Sequence, residues 1–326
     1  MRTRTLGGRI EVAEIGYGCM GLSGTYGPTE EAAAIAVLRA AVDAGVTMLD
    51  TADAYGPFTN EALVGRALKG LRSEVLVATK FGQRTMPDGS RTICGRPEYV
   101  REACDASLKR LGIDHIDLYY QHRVDKGVPI DETVDAMAAL IKAGKVRFLG
   151  LSEASAANIR RAHRIHPITA VQSELSLWSR QDEQDILPVC RELNIGYVAY
   201  SPLGRGFLTG TVQSAKELEP GDVRRLFPRF AEANIDRNVQ LARRIGELAA
   251  RRGVTAAQLA RAWTLHKGRD IVPIPGTRSP ARLRENLAAA AIELSDAEMQ
   301  ALEELAPVGA AAGDRYGAPM MQHIDR

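Results

Sequence analysis

The chain has 326 residues, of which 45% are hydrophobic and 25% charged, and its formal net charge is +2. Such values are typical of a globular protein with a large core, and they give no reason to expect nucleic acid or an anionic membrane as partner. No apolar run approaches the ~20 residues of a membrane span, and the N-terminus has no apolar signal-peptide core. The four cysteines are widely spaced and form no CxxC pair, which favours a reducing, cytoplasmic location.

Strand-like and helix-like segments alternate along almost the whole chain. Buried strands are predicted near 15–18, 46–50, 74–79, 115–121, 146–151, 168–172, 195–200 and 270–274. Amphipathic helices are predicted near 29–44, 59–69, 97–110, 130–142, 154–165, 182–193, 255–267 and 279–289. Eight such units without a break in composition predict an α/β fold, a (β/α)8 TIM barrel, with residues 1–326 as a single domain.

Additional segments flank the eight units at both ends of the chain. Strand-like stretches at 3–6 and 9–13 predict an N-terminal hairpin that caps the bottom of the barrel. A helix is predicted near 234–252, before the last unit, and an extra C-terminal helix near 295–306. The tail that follows, 307–326, is rich in Gly and Ala and is expected to be mobile.

Two long loops, 82–97 and 203–233, follow predicted strands on the face where barrel enzymes carry their active sites. Loops of this length commonly act as lids or binding loops. We therefore expect them, together with the tail, to set substrate selectivity. The sequence does not indicate the natural substrate, and it leaves the oligomeric state open.

Polar side chains end three successive apolar runs. The runs are VTMLDTADAY (46–55), EVLVATK (74–80) and IDLYYQH (116–122), and the polar residues are Asp50, Tyr55, Lys80 and His122. Because the C-terminal ends of parallel barrel strands meet on one face, we expect these side chains to converge. A carboxylate, a phenol, an ammonium and an imidazole brought together form a proton-transfer site, which indicates an enzyme.

The four residue types suit the polarisation of a carbonyl group. Tyr55 is the candidate acid, but a free phenol has a pKa of about 10, which is too high for efficient donation at neutral pH. A nearby Lys80 ammonium is expected to lower that pKa, and Asp50 to hold Lys80 charged and in place. His122 is expected to donate a hydrogen bond to the carbonyl oxygen and to orient it.

Several motifs resemble those of the aldo-keto reductase family. They are LDTADAYG (49–56), ATKFG (78–82), LYYQHR (118–123), GKVRFLGLSEAS (144–155), AVQSELSLW (170–178), AYSPLGRGFLTG (199–210) and IPGTRSPARLRENL (274–287). They occur in the family's order over roughly 5–305. The resemblance is closest to the branch with the EAS and QHR variants, which includes plant and bacterial aldehyde and ketone reductases.

The resemblance implies a role for each matching residue. It makes Tyr55 the general acid/base, Lys80 and Asp50 the pair that tunes its pKa, and His122 the residue that orients the carbonyl. The implied cofactor is NADPH, with its nicotinamide ring stacked on Tyr200. The other implied cofactor contacts are Ser152 and Gln172 at the carboxamide, Gly18, Cys19 and Met20 beside the nicotinamide ribose, Ser201, Leu203, Arg205, Gly206 and Leu208 around the diphosphate, and Gly276, Thr277, Arg278, Arg282 and Asn286 at the adenosine 2′-phosphate and adenine.

The sequence departs from the family pattern at two positions. Glu153 stands where many members carry Asn beside the Ser, so the resemblance implies no carboxamide contact for this residue. Gly276 stands where many carry a Lys for the 2′-phosphate, which leaves Arg278 and Arg282 as the phosphate-binding candidates. A guanidinium suits a phosphate because its planar fork bonds two oxygens.

Two other patterns predict no site. Residues 16–21 (GYGCMG) match GxGxxG, but the loop continues past them instead of opening a helix, and the acid about 20 residues on, Asp43, lies within a helical pattern. His163 and His166 precede a proline at a helix end without a Cys or carboxylate cluster, so we interpret them as surface residues and predict no metal site.

The sequence thus predicts a cytoplasmic, NADP-dependent oxidoreductase that reduces an aldehyde or ketone, a small-molecule carbonyl substrate, to the alcohol. Two other functions stay open at this stage. Lys80 could form a Schiff base in a lyase or aldolase, although Tyr200, Gln172 and the 274–287 segment would then have no purpose. Alternatively, the fold could serve as a redox-responsive binding module, against which the intact set of four polar residues argues.

Overall fold

The computed structural model describes residues 1–86 and 88–325. Its strands are β1 (Thr3–Leu6), β2 (Ile10–Ala13), β3 (Tyr17–Gly18), β4 (Met48–Asp50), β5 (Leu76–Phe81), β6 (Gln83–Thr85), β7 (Arg91–Ile93), β8 (Ile116–Gln121), β9 (Val146–Ser152), β10 (Ile168–Glu174), β11 (Gly196–Tyr200) and β12 (Ile271–Pro273). Its helices are α1 (Glu31–Asp43), α2 (Thr59–Ala67), α3 (Pro97–Leu111), α4 (Ile130–Lys142), α5 (Ala156–Ile165), α6 (Ile186–Glu192), α7 (Glu232–Arg251), α8 (Ala256–His266), α9 (Pro280–Ala288), α10 (Asp296–Leu305) and α11 (Ala318–Met321).

Eight parallel strands form one curled sheet in the order β12, β11, β10, β9, β8, β5, β4, β3. The first and last strands meet through backbone hydrogen bonds from Gly16 to Pro273 (3.0 Å) and from Gly18 to Pro275 (3.3 Å). Helices α1–α6, α8 and α9 lie between successive strands or after the last one. The predicted (β/α)8 barrel is therefore confirmed, with the antiparallel hairpin β1–β2 and the extra helix α10.

Two apolar clusters hold the barrel together. The inner cluster includes Met48, Leu118 and Val198 from the strands and Leu6 and Ile10 from the hairpin, so the hairpin closes one end of the barrel interior. The larger cluster lies between the strands and the surrounding helices. Burying one Val, Leu or Ile side chain contributes roughly 1.5–3 kcal/mol, which explains why strands buried on both faces are almost continuously apolar.

Most predicted elements agree with the structure to within a few residues. The sixth helix differs most, because the 3-10 turn Gln181–Glu183 precedes it and delays its start to Ile186. The predicted loop 82–97 contains the antiparallel pair β6–β7, although Pro87 lies outside the described residues. The predicted loop 203–233 is a chain of short 3-10 turns.

The expectation of a mobile C-terminal tail was wrong for its described part, residues 307–325. Arg315, Tyr316 and Ile324 are only 6%, 7% and 4% exposed. The tail is anchored because Arg315 bonds Glu153 and Asp325 bonds Ser155, two residues that follow β9. Arg326 lies outside the described residues.

No helix within residues 1–86 and 88–325 is long and apolar enough to cross a membrane. All four cysteines in this part of the chain are buried and free. In the same residues, no group of three or more His, Cys, Asp or Glu side chains is arranged to hold a metal ion.

Candidate active site

The barrel brings the four polar residues predicted at its strand ends into one cluster. The Lys80 ammonium donates to Asp50 Oδ1 at 2.5 Å, to the carbonyl oxygen of Thr51 at 2.7 Å, and to the Tyr55 hydroxyl at 3.2 Å. The rings of Tyr55 and His122 meet edge to face, with their centroids 5.8 Å apart. Lys80, Asp50 and His122 are 0%, 2% and 6% exposed, whereas Tyr55 is only partly buried. Tyr55 is thus the member of the cluster most open to a ligand.

The segment that carries Tyr55 is held in place by a buried asparagine on α2. Asn60 Nδ2 donates to the carbonyl oxygen of Cys19 (2.9 Å) and to Ser23 Oγ (2.7 Å), and Asn60 Oδ1 accepts from Thr51 Oγ1 (2.6 Å). These bonds join the end of β4 to the loop after β3. Because buried polar groups are costly without partners, the network favours one conformation of the 51–59 turn and hence one position of Tyr55.

The ion pair of Lys80 and Asp50 is fully buried. Burial opposes the charge on Lys80, but Asp50 and Tyr55 outweigh that effect, so the pKa of Lys80 is raised. Burial also raises the pKa of Asp50, against the opposing effects of Lys80 and of the hydrogen bond from Gln172. A charged ammonium therefore lies beside the phenol.

The expected fall in the pKa of Tyr55 was wrong as a net effect. Lys80 does lower the pKa, but burial, with some help from the negative charge of Asp50, raises it more, so the net pKa of Tyr55 lies above its ordinary value. Burial destabilises the phenolate by removing it from water. The Lys80 ammonium stabilises the phenolate by less than this amount, because the ammonium is already paired with Asp50. The phenol therefore holds its proton at neutral pH, and its donation depends on the Lys80 ammonium, which opposes part of the rise in pKa.

His122 is a neutral imidazole in this environment. Burial, followed by the positive charges of Arg123, Lys80 and Arg91, lowers its pKa well below the ordinary value. Its backbone N–H donates to the carbonyl oxygen of Phe81 (2.7 Å), which fixes the residue at the C-terminal end of β8. Its Nδ1 atom is buried and has no hydrogen-bond partner among residues 1–86 and 88–325.

The residues that the resemblance placed at the nicotinamide lie on the three strand ends after His122. Gln172 Nε2 donates to Asp50 Oδ2 at 2.8 Å, so it directly contacts the cluster of Asp50, Tyr55, Lys80 and His122, here called the tetrad. Ser152 Oγ accepts from Arg123 Nη1 at 3.5 Å. The Tyr200 hydroxyl donates to Glu153 Oε1 at 2.8 Å. The strand order thus places all of them at the same end of the barrel as Lys80.

The segment expected at the diphosphate turns sharply after β11. Ser201, Arg205 and Gly206 have positive φ angles of 48°, 56° and 87°. Leu208 is fully buried, and Leu203 packs against the outer core. Arg205 is an interior residue, because it donates to Glu174 at 3.1 Å and lies over the rings of Phe227 and Tyr316.

The residues expected at the adenosine end lie around β12 and the start of α9. Gly276 approaches Gly18 at the end of β3, and Cys19 and Met20 follow that strand. The carbonyl oxygen of Thr277 accepts a hydrogen bond from the Tyr17 hydroxyl. Arg278 donates to the carbonyl oxygens of Tyr26, Gly27 and Pro28 at 3.0, 3.1 and 2.7 Å. Arg282 and Asn286 are both on α9, with Arg282 exposed and Asn286 buried.

Glu153, which replaces the Asn that many family members carry, forms a buried ion pair that the sequence did not predict. Glu153 is only 3% exposed. Its carboxylate forms a bidentate pair with the Arg315 guanidinium of the tail, at 3.0 and 2.6 Å. It also accepts from Ser173 Oγ and from the backbone N–H of Glu174. The sequence carries no pattern that pairs Glu153 with Arg315, because the two residues are 162 positions apart.

A family model described as "Aldo/keto reductase family" matches residues 14–307. A relative named "Probable aldo-keto reductase 1", from Glycine max, is 50% identical over 311 residues, covering 94% of this chain and 89% of the relative. A glycerol dehydrogenase structure from Gluconobacter oxydans superimposes with a TM-score of 0.85 at 28% identity, over 93% of this chain and 94% of that chain. An aldo-keto reductase structure from Klebsiella pneumoniae in complex with NADPH gives a TM-score of 0.73 at 28% identity, over 94% and 96%.

A parallel barrel that brings a buried Asp–Lys pair, a tyrosine and a histidine together at one end has the architecture of the barrel enzymes. The family match and the relatives narrow this class. The chain belongs to the aldo/keto reductase family and is an oxidoreductase.

Proposed function

We propose that this chain reduces an aldehyde or ketone to the alcohol with NADPH, and that Tyr55 supplies the proton. The observation that carries the proposal is that the Lys80 ammonium bonds both Asp50 and Tyr55, while the His122 ring packs edge to face against the Tyr55 ring. The reaction converts the carbonyl, a hydride and a proton into an alcohol. It needs a group that holds its proton at neutral pH and releases it as negative charge grows on oxygen.

The residues around the tetrad fit a dinucleotide. The family uses a nicotinamide cofactor, and NADPH, when bound, supplies the hydride. Arg205 and Arg229 face one carboxylate, Glu174, at 3.1 and 3.2 Å, so this cluster carries excess positive charge beside the segment assigned to the diphosphate. Arg205 Nη1 is buried and has no hydrogen-bond partner among the described residues, so its charge acts on this segment from the interior.

His122 and Tyr55 act together on the carbonyl oxygen in this proposal. His122 is neutral, so one ring nitrogen can donate a hydrogen bond while carrying no charge. Tyr55 bonds the same oxygen from the turn after β4 and transfers its proton as the hydride reaches the carbonyl carbon. Two donors directed at an oxygen that becomes negative stabilise the transition state more than the ground state.

Lys80 and Asp50 act on Tyr55 and not on the substrate. Once the proton has left, the negative charge on the Tyr55 oxygen lies 3.2 Å from the Lys80 ammonium. Asp50 keeps that ammonium charged and, through Gln172, is linked to the strand end where the resemblance places the carboxamide. The pair therefore favours the product side of the proton transfer.

Cofactor preference follows from the arginines on the adenosine side. Among residues 1–86 and 88–325, the guanidinium of Arg282 makes no hydrogen bond or ion pair, whereas that of Arg278 is engaged by backbone carbonyls. Arg282 is thus the freer partner for a 2′-phosphate. We propose a preference for NADPH over NADH, without absolute exclusion of NADH.

A Schiff-base role for Lys80 is not favoured. An amine must lose its proton to attack a carbonyl, and Lys80 is held as an ammonium by Asp50, with its pKa raised. Borohydride added with a substrate would trap a Schiff base as a stable adduct, and we expect none.

The proposed reaction is tested by following the transferred hydrogen. The enzyme is incubated with NADPH deuterated at C4, separately in each of its two diastereomeric forms, and with a set of aldehydes, ketones and dicarbonyls. We expect an alcohol that carries one deuterium at the former carbonyl carbon, from one form only, with one NADPH oxidised per alcohol formed. Oxidation of NADPH without label in the product would contradict the proposal.

A further inference from the structure

We propose that the C-terminal tail positions Tyr200 through Arg315 and Tyr316, so that two tail residues orient the ring assigned to the nicotinamide. This inference rests on the proposed function, and it adds a role for residues beyond the family's motifs. The tail residues touch neither substrate nor reacting atoms in the proposal. They are positioning residues that act through Tyr200 and Glu153.

The Tyr200 hydroxyl is held from two directions. It donates to Glu153 Oε1 at 2.8 Å, and it lies 2.8 Å from the Tyr316 hydroxyl. A tyrosine ring turns about the bonds that join it to the backbone, so two contacts at its far end fix the tilt of the whole ring. The flat face of Tyr200 therefore depends on Glu153 and Tyr316 for its orientation.

Glu153 depends in turn on the tail. Its carboxylate is bound at both oxygens by the Arg315 guanidinium, at 3.0 and 2.6 Å, and both side chains are more than nine-tenths buried. Bidentate arginine–carboxylate pairs hold both angle and distance. The Glu153 backbone has a φ of 54°, a left-handed conformation that is uncommon outside glycine.

The tail itself is fixed at both sides of Arg315. Before it, the backbone of Ala312 exchanges two hydrogen bonds with the Asn238 side chain, at 2.8 and 3.0 Å. After it, Asp325 Oδ2 accepts from Ser155 and from Asn158 Nδ2, all at 2.8–2.9 Å. The first contact joins the tail to α7 and the second to the start of α5, so Arg315 is held between two anchors.

Tyr316 also joins the tail to the diphosphate segment. Its ring packs edge to face on Phe227, with centroids 5.6 Å apart, and the Arg205 guanidinium lies 4.8 Å above it. Removing only the Tyr316 hydroxyl leaves these ring contacts intact. The variant Tyr316→Phe therefore isolates the hydrogen bond to Tyr200 from the packing of the tail.

The two ends of the cofactor can be probed separately. Tyr200 ends β11, whereas Arg282 lies on α9 beyond β12. Adenosine 2′,5′-bisphosphate carries the adenosine end of NADPH and no nicotinamide. A defect in the orientation of Tyr200 must weaken NADPH binding and leave binding of the bisphosphate unchanged, while general damage weakens both.

The experiment measures the dissociation constants of NADPH and adenosine 2′,5′-bisphosphate, and kcat for carbonyl reduction, in the full chain. The variants are Tyr316→Phe, Arg315→Met and Arg315→Lys. The control is Tyr119→Phe, which removes a buried hydroxyl that has no hydrogen bond among the described residues. Thermal unfolding of every variant shows whether it is folded.

We expect Tyr316→Phe and Arg315→Met to raise the dissociation constant of NADPH about tenfold, as the loss of roughly one hydrogen bond would, and to lower kcat. Binding of the bisphosphate should stay within about twofold of the wild type, Arg315→Lys should recover part of the loss, and Tyr119→Phe should behave as wild type.

The proposal would be overturned if the variants bound NADPH and the bisphosphate more weakly by the same factor. It would also be overturned if Tyr316→Phe left NADPH binding and kcat unchanged. If Arg315→Met does not fold, Tyr316→Phe decides the matter alone. A wild-type chain that does not bind NADPH or reduce any carbonyl would instead contradict the proposed function, and the positioning role would fail with it.

Discussion

Gly276 passes so close to Gly18 that a Cβ atom on Gly276 would lie 2.3 Å from the Gly18 carbonyl oxygen. This contact lies where the first and last barrel strands meet, next to the backbone bond from Gly18 to Pro275. It explains why a lysine, common at this position in the family pattern, does not fit here. A side chain at 276 requires the two strand ends to move apart.

The first prediction is that Gly276→Ala destabilises the protein. Overpacking against a backbone atom typically costs about 1–3 kcal/mol, because neither strand end can yield freely. The measurement is urea unfolding, with Gly246→Ala as control, since a Cβ at Gly246 within α7 meets nothing within 4 Å. An unfolding midpoint for Gly276→Ala equal to the wild type would show that the barrel seam is looser than described.

The second prediction concerns the choice of cofactor. Arg282→Ala should raise KM for NADPH about tenfold. A charge-assisted hydrogen bond at a solvent-exposed site contributes an energy at the lower end of the usual range for such bonds. KM for NADH, which lacks the 2′-phosphate, should barely change. Added salt should weaken NADPH binding more than NADH binding because only NADPH carries the extra charge. Equal use of both cofactors by the wild type would contradict the proposed phosphate site.

The third prediction concerns Lys80. Lys80→Met should abolish carbonyl reduction, because the phenolate left by proton transfer loses its ammonium and Asp50 keeps a buried charge without its partner. Its affinity for NADPH, measured by fluorescence titration, should remain close to that of the wild type, because among residues 1–86 and 88–325 the Lys80 ammonium bonds only Asp50, Thr51 and Tyr55. A matching loss of NADPH affinity would identify Lys80 as a binding residue.

The fourth prediction concerns stability and pH at Asp53. Burial, followed by the nearby charge of Glu61, raises the pKa of Asp53 to about 8. The folded protein therefore keeps a proton that the unfolded chain releases at lower pH, so Asp53 makes stability fall as pH rises from about 4 to about 8. The slope reaches ~1.4 kcal/mol per pH unit for one proton.

Asp53→Asn should remove that slope. The difference in unfolding free energy between the variant and the wild type should grow with pH between about pH 5 and pH 7, measured by denaturant titration at several pH values. A difference that is constant across this range would mean that Asp53 ionises normally in the folded chain.

The four polar residues of the tetrad were predictable because strand polarity alone brings them together. Asp50, Lys80 and His122 follow apolar runs that could be read from the sequence, and a parallel barrel directs all such strand ends to one face. The net pKa of Tyr55 was not predictable in the same way. The direction of its shift depends on two opposing effects, the burial of the phenol and the charge of the Lys80 ammonium. Only the coordinates show which effect is larger.

The docking of the tail was hidden for a different reason. Its anchors are single long-range pairs, such as Arg315 with Glu153 and Asp325 with Ser155, separated by 162 and 170 residues. The tail has no periodic pattern that would predict such contacts, because they are made by individual side chains and not by an amphipathic face. The EAS variant at Glu153 was visible in the sequence, but its partner was not.

Tyr55→Phe tests the central claim most directly, because it removes only the oxygen that lies 3.2 Å from Lys80 and leaves the ring against His122. The measurement is kcat for carbonyl reduction by the variant, with NADPH binding and thermal unfolding as checks that the site is intact. General acid catalysis contributes about 100–10,000-fold, so we expect kcat to fall by that factor while both checks match the wild type. A folded, NADPH-binding Tyr55→Phe variant with a kcat close to that of the wild type would remove Tyr55 from the mechanism.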